Sequence, residues 1–397
     1  MIKGVNLGNW LVLEKWMSPI VFDGLKDVED ETWLARTLSP EILGERMKAH
    51  RETYITERDF AYIAKHGLNS VRIPIPYFIF GDRQPFIGCI EYLDRAFGWA
   101  EKYGLTILID LHTAPGSQNG FDNGGLCGVC KWAQNPDEVE FVLTVLERLA
   151  KRYANRTGLY GIEILNEPVS LQLWELMGIP VRYPAKDKKE AEGSMGISSK
   201  FLRKFYTEAY HRIRKYLPED KAVVFHDGFR LREWKDFMRG NEFKNVVLDT
   251  HLYLMMAEAF GCVQNVEGYH AYIEETFRQD VKEMRQYFPI IIGEWCLFNS
   301  AACGKDTKAG VAPGNEAELP QDIDVKEKKR IYQTLAKAQL EAWKEGAGYY
   351  YWSYKLLLDT VNKPQWQGWD SWDLGKCIDQ GWFPDNVSED IDNENLR

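Results

Sequence analysis

No stretch of this 397-residue chain approaches the roughly 20 consecutive apolar residues that a bilayer span requires, so no membrane partner is expected. No lysine/arginine run is long enough to follow a phosphate backbone, and the formal net charge is −10, which argues against nucleic acid. A metal-dependent barrel hydrolase would want a His-x-His on an early strand; none occurs, and neither metal nor cofactor is expected. The turn Leu7-Gly8-Asn9-Trp10 lacks the glycine spacing of a dinucleotide phosphate loop. Cysteine is sparse and odd in number: Cys89, Cys127, Cys130, Cys262, Cys296, Cys303 and Cys377 read as free thiols rather than a disulfide framework. Cys127-Gly128-Val129-Cys130 has redox or zinc spacing, but without a second pair it reads as part of a loop. Met1-Ile2-Lys3-Gly4-Val5-Asn6 shows neither a charged leader nor an apolar core of a signal and already resembles a first strand. The expected location is therefore the cytoplasm, where the sequons at Asn155 and Asn386 would be chance matches.

Aromatic side chains are plentiful: 14 Trp, 20 Tyr and 19 Phe. Many belong in a core, yet the Trp and Tyr excess suits a cleft that stacks on the C–H faces of sugars while offering polar edges. Short apolar runs at 2–7, 70–73, 106–111, 161–165, 222–225, 246–250, 290–292 and 348–352 alternate with amphipathic stretches at 55–66, 89–103, 136–154, 198–217, 230–239, 267–287 and 325–345. In the amphipathic stretches apolar residues return every three or four positions, as in Phe141, Val145, Leu149 and Tyr153. Runs that are apolar throughout belong to strands buried on both faces, hence to a parallel sheet covered by helices. Their number predicts a single (β/α)8 TIM barrel, with an open doubly wound sheet as the alternative. The connections 8–54, 113–135, 169–197 and 297–324 are too long for plain turns, and all follow strands. They place long loops on the C-terminal face, where barrel enzymes build their sites. Residues 1–383 are expected to form one catalytic barrel, followed by an acidic tail at 384–397.

The strand ends, taken in order, carry Arg72, His112, Asn166 and Glu167, His251 and Tyr253, Glu294, and Trp352. Singly each has a structural reading: a strand-end glutamate is commonly an ion-pair residue, a lone histidine a core residue, a lone tryptophan packing. Together, on one barrel face, they make the kit of a retaining glycosidase. Glu167 would protonate the leaving oxygen and then activate water, while Glu294 attacks the anomeric carbon. In that geometry the two carboxyls stand about 5–5.5 Å apart. Arg72 and Tyr253 are expected to hold Glu294 ionised, and the charge of Glu294 to raise the pKa of Glu167. Asn166 would donate to the sugar 2-hydroxyl and Trp352 would floor the pocket. The rival from another class is an inactive sugar-binding barrel, which should have lost one carboxyl.

At these residues the chain resembles glycoside hydrolase family 5, the cellulase-like retaining enzymes, over nearly its full length. The resemblance rests on Asn166-Glu167-Pro168 with Gly293-Glu294-Trp295, and it is nearest the exo-β-1,3-glucanase-like branch. Shared with that branch are the run from Gly4 to Glu14, Tyr54-Ile55-Thr56-Glu57-Arg58-Asp59-Phe60, and Asp110-Leu111-His112 leading into Ala114–Asn123. The resemblance implies that Glu14 grips two hydroxyls of the terminal sugar and closes the cleft for exo action. The chain departs from the secreted exo-glucanases at Cys296-Leu297-Phe298-Asn299 and in the charged insert around Arg182-Tyr183-Pro184. Here it looks more like bacterial intracellular β-mannosidases of the family. The expected activity is therefore a β-mannosidase on short mannosides such as mannosyl-N-acetylglucosamine, with an exo-β-1,3-glucanase or β-glucosidase as the alternative. The expected partner is a small oligosaccharide; the residues are silent on oligomeric state.

Overall fold

The structure is a computed structural model describing residues 1–303, 324–358 and 369–384. Eight parallel strands close into a barrel in sequence order: β1 (Ile2–Asn6), β2 (Ser70–Ile75), β3 (Thr106–Leu111), β4 (Leu159–Glu163), β5 (Ala222–His226), β6 (Val246–His251), β7 (Ile290–Trp295) and β8 (Gly348–Tyr351). This is the expected (β/α)8 fold. The tail from 385 onward, with the sequon at Asn386, and residues 304–323 of the loop expected at 297–324 lie outside the described residues. The chain packs as two compact units. One comprises Met1–Leu7, Ala61–Val71 and the described residues from Thr250 on; the other comprises Gly8–Phe60 and Arg72–Asp249.

In the first unit β8 pairs with both β1 and β7, with Gly348 opposite Ile2 on one side and Ile291 on the other. The Asn6 side chain, fully buried, donates to the Gly293 carbonyl at 2.8 Å and lies 3.2 Å from that of Tyr351. One amide thus ties the ends of three strands, satisfying carbonyls that burial would otherwise leave costly. Gly4 has no substitute here, because a β carbon would fall 2.3 Å from the Tyr350 ring. Behind β7, Trp295 meets Trp343, Tyr349 and Tyr351 edge-on, with centroids 5.0–5.8 Å apart. Trp343 ends the long helix Val325–Trp343, whose first turn is capped by Asp324 accepting from the Glu327 N–H.

In the second unit β3, β4, β5 and β6 pair in order. The helix Pro136–Tyr153 starts where Asn135 accepts from the N–H groups of Asp137 and Glu138, and proline occupies the first turn, where its missing N–H costs nothing. Its buried face, Val142, Val145, Leu146, Leu149 and Tyr153, keeps the spacing read from the sequence. The 8–54 connection builds a small core of its own from Leu13, Phe22, Val28, Leu34, Leu43 and Met47 against Phe78 and Phe86. It is tied to the glycine-rich loop after β3: Asp30 caps the helix Glu31–Thr37 through the Trp33 N–H and also accepts from the Cys127 N–H.

Three expectations shift. The 8–54 connection, expected as a long loop with no helix assigned, holds the helices Glu31–Thr37 and Pro40–Thr53. The stretch expected as a helix at 230–239 gives one short 3-10 turn, Leu231–Trp234, because left-handed residues at Phe229 and Met238 bound it. β4 stops at Glu163, two residues before the expected end, although the Ile164 N–H still donates to Val224 and the Asn166 N–H to Leu111. All seven cysteines are buried thiols outside any disulfide.

Candidate active site

Glu167 leaves the barrel four residues beyond the end of β4. Its backbone is left-handed, φ 44°, and Pro168 follows. A glutamate in that region is uncommon and is kept only where its surroundings over-determine it. The side chain is 6% exposed, and Oε2 accepts from Asn123 Nδ2 at 2.8 Å. Burial pushes the carboxyl above its usual range; the Asn123 hydrogen bond, His112 and Arg72 pull it back, and Glu163 adds to the rise.

Beneath it lies a fully buried polar cluster. Arg72 donates from Nε to Glu163 Oε2 at 2.8 Å and from Nη2 to Asn166 Oδ1 at 2.9 Å, and it stands 3.1 Å from Asp110 Oδ2. Asp110 meets His112 Nδ1 at 2.5 Å. Burial pushes Asp110 up to about 7 and His112 down to about 3, with Arg72 also lowering the histidine. His112 is therefore neutral, with Nδ1–H toward Asp110 and Nε2 left to face Asn166 Nδ2 at 3.4 Å. The Asn166 amide is thereby oriented at both ends. Removing the cation would strand Asp110 and Glu163, both 0% exposed. Arg72→Ala is expected to cost about 3–5 kcal/mol of stability, read as a lower urea midpoint at unchanged m.

Glu14, 5% exposed, belongs to the same unit. Its Oε2 accepts from Trp16 Nε1 at 2.8 Å, and its N–H donates to Asn9 Oδ1 at 2.9 Å. The insert after β4 brings Tyr183 against Phe121, centroids 5.3 Å apart. Burial chiefly raises the Tyr183 phenol, which also feels Asp122, Glu167 and Glu14.

The other unit carries Glu294, 3% exposed, at the end of β7. Tyr253 donates its hydroxyl to Glu294 Oε2 at 2.7 Å, and His251 Nδ1 stands 3.4 Å from the same oxygen. The Leu252 N–H donates to the Glu294 carbonyl at 3.0 Å, fixing the backbone of the segment that carries both partners. Trp352 is buried, and its N–H donates to the Trp295 carbonyl at 2.8 Å. Phe298, Trp369 and Trp372 form an aromatic cluster that Tyr253 joins at 5.4 Å from Trp372.

The structure thus groups Arg72, His112, Asn166 and Glu167 in one unit and His251, Tyr253 and Glu294 in the other. Sequence reasoning missed Asn123, Asp110, Glu163, Trp16 and the Phe298–Trp369–Trp372 cluster. Asp110 was within reach: it stands two places before a strand-end histidine, hence on the same face of β3. Nothing in the sequence marked Trp369 and Trp372, which meet Phe298 from beyond β8.

A closed parallel barrel with buried carboxyls after its fourth strand and near the end of its seventh fits a (β/α)8 hydrolase of glycosidic bonds. Residues 41–318 match the family described as "Cellulase (glycosyl hydrolase family 5)". The chain belongs to glycoside hydrolase family 5 and is a retaining glycosidase. It is 34% identical over 417 aligned residues to "Probable glucan 1,3-beta-glucosidase A" of Emericella nidulans, covering 98% of this chain and 91% of the relative. It is 33% identical to "Glucan 1,3-beta-glucosidase" of Blumeria graminis, covering 92% and 84%. A rutinosidase from Aspergillus niger shares the fold, with a TM-score of 0.71 at 22% identity over 96% of this chain and 97% of that one.

Two expectations are corrected by these relatives. The β-mannosidase reading finds no support in them, since they are named for a 1,3-linked glucan, and the alternative gains. The cytoplasmic location, expected because Met1-Ile2-Lys3-Gly4-Val5-Asn6 lacks the pattern of a signal, is overturned: the fungal relatives are named for a 1,3-linked glucan, a polymeric substrate. The Cys296 loop and the Arg182 insert suggested the mannosidases without naming a residue that separates an axial from an equatorial 2-hydroxyl.

Proposed function

We propose that this chain is an exo-acting β-1,3-glucosidase that releases glucose from the non-reducing ends of β-1,3-glucans and short β-glucosides, with Glu167 as acid/base and Glu294 as nucleophile. The observation that carries the reading is the near full-length identity to glucan 1,3-beta-glucosidases, joined to two buried strand-end carboxyls with different surroundings. Glu167 is raised by burial, which suits an acid, while Glu294 accepts from the Tyr253 hydroxyl, which favours an ionised, aimed nucleophile. In the first step the Glu294 carboxylate forms a bond to C1 as the C1–O bond breaks, and the departing oxygen takes the proton of Glu167. In the second, Glu167, now a carboxylate, takes a proton from water as its oxygen bonds to C1 and Glu294 leaves. Net retention follows. Arg72 and His112 serve by orienting Asn166, whose amide faces the sugar 2-hydroxyl; Trp352 forms the floor, and His251 steadies Glu294.

Glu14 supports the exo assignment. A buried carboxylate steadied by Trp16 can accept from two adjacent hydroxyls of a terminal sugar, which suits a pocket closed at that end. Glu14→Gln is expected to raise KM for a β-1,3-linked glucose trisaccharide roughly 10- to 100-fold, the loss of a charged hydrogen bond worth about 1.5–3 kcal/mol. Aryl β-glucoside against aryl β-mannoside tests the sugar. The glucoside is expected to dominate, and a dominant mannoside rate would overturn the proposal.

A further inference from the structure

The glycine-rich loop after β3 contains a chain of side-chain amides whose direction is set at one end by the backbone. The Phe121 N–H, a donor that cannot be reversed, donates to Asn119 Oδ1 at 3.0 Å. Asn119 then has only its NH2 to offer on the other side, where Nδ2 stands 2.9 Å from Asn123 Oδ1. Asn123, its oxygen committed, must present its own NH2 outward, and that group is the one 2.8 Å from Glu167 Oε2. A side-chain amide is ordinarily free to exchange its two ends. Here neither amide can flip without placing two donors or two acceptors face to face. Asn119 is 0% exposed. Ser117, left-handed at φ 58°, gives its Oγ to the Gly120 N–H at 2.9 Å and holds the turn around it. Gly124 closes the package: a β carbon there would lie 2.3 Å from Asn119 Oδ1 and 2.5 Å from Ser117 Oγ.

We propose that Asn119 and Asn123 form a one-way hydrogen-bond chain that keeps Glu167 Oε2 a permanent acceptor, so that Oε1 alone carries the proton exchanged in catalysis. The inference rests on Glu167 being the acid/base. A neutral carboxyl has one O–H, and its hydroxyl oxygen is a much poorer acceptor than its carbonyl oxygen, so the Asn123 N–H favours Oε2 as the carbonyl oxygen. The proton therefore sits on Oε1. The leaving oxygen takes it from Oε1 as the C1–O bond breaks, and Oε1 recovers one from the attacking water. Both half-reactions use the same oxygen, with no rotation of the carboxyl between them. The Asn123 donor also offsets part of the burial penalty on the charged form, keeping Glu167 usable as a base in the second step. The other titratable or charged groups that act on Glu167 within this unit are His112, Arg72, Glu163, Asp110, Asp122 and Tyr183, and the Asn119 variant substitutes none of them. Asn119 touches no reacting atom in this scheme. It is a positioning residue acting through Asn123.

Asn119→Asp tests the direction of the chain. Aspartate keeps the acceptor for the Phe121 N–H but faces Asn123 with a second acceptor, so the Asn123 amide turns over and offers Oδ1 to Glu167. Glu167 then holds its proton on Oε2, away from the leaving group. The readout is kcat/KM, which reports the first step, on a β-1,3-linked glucose disaccharide and on 2,4-dinitrophenyl β-glucoside, whose leaving group departs without a proton. Expected is a loss of about 30-fold on the disaccharide against less than about 3-fold on the dinitrophenyl substrate. The basic limb of the disaccharide profile should move up by about one pH unit, the worth of one hydrogen bond to the charged form. Asn123→Ala, which removes the donor outright, should shift the limb the same way with a smaller disaccharide loss, and it decides the matter if Asn119→Asp does not fold. Equal losses on both substrates with the limb unmoved would overturn the chain. Glu167→Gln on the same pair is the control: selective loss there but not in the loop variants sinks only this inference, whereas equal loss in Glu167→Gln sinks the acid/base assignment itself.

Discussion

Glu294→Gln is expected to lower kcat on an aryl β-glucoside by about 10,000-fold or more, the scale on which removing a nucleophile acts. The substitution is nearly isosteric, and the Tyr253 hydroxyl, 2.7 Å from Oε2, keeps an acceptor if the amide oxygen takes that place. Folding and ground-state binding should therefore survive, so KM changes little while turnover nearly vanishes. A carboxylate is needed because the step forms a covalent bond to C1, and a neutral amide supplies neither the charge nor the leaving ability for the second half. The same residue should be labelled when the protein meets a 2-deoxy-2-fluoro β-glucoside with a good leaving group, giving one added glycosyl mass on the peptide that contains Glu294. Residual turnover within about 100-fold of the parent, or label on another residue, would remove Glu294 from the role.

Glu167→Ala has a different signature, because its effect depends on what leaves. Departure of a sugar alkoxide needs a proton, and that of a dinitrophenolate does not. kcat/KM on a β-1,3-linked disaccharide should fall by about 100- to 10,000-fold, the usual span of general acid catalysis, while that on the dinitrophenyl glucoside holds nearly steady. Water attack on the glycosyl-enzyme then lacks its base, so added azide should restore kcat on the activated substrate and appear in a β-glucosyl azide product. The pH dependence follows from the direction of the shift. Burial raises the folded carboxyl above its ordinary value, so the acid form persists to higher pH, and kcat/KM on the disaccharide falls as pH rises through that raised value. The alanine variant should lose this basic limb. A retained limb would mean that another group provides the proton.

The barrel was legible because its signal is repetitive: apolar runs separated by helices of ordinary length, each strand buried on both faces. β2, β6 and β7 are buried along their whole length, Arg72, Asp249 and Glu294 included. The two candidate carboxyls drew notice for a related reason: Glu167 with Pro168 follows β4, and Glu294 stands next to the last residue of β7. What escaped was set by side-chain contacts across long separations. Asn123 reaches Glu167 across 44 residues, and Arg72 reaches Glu163 across 91. The helix expected at 230–239 failed because aromatic packing of Trp234 and Phe237 on Phe225 gives its apolar residues the right spacing for another reason. Sugar identity stayed hidden because an axial and an equatorial hydroxyl can be met by the same amide from slightly different positions, a difference of placement and not of residue type.

The central claim, a retaining glycosidase acting from the non-reducing end of β-1,3-glucan, is tested most directly by proton NMR of the first minutes of digestion of a reduced β-1,3-linked glucose oligosaccharide. The account predicts free glucose as the first product, appearing as the β-anomer before mutarotation, with the oligosaccharide shortened by one unit. Glucose appearing first as the α-anomer, or di- and trisaccharides preceding glucose, would contradict it.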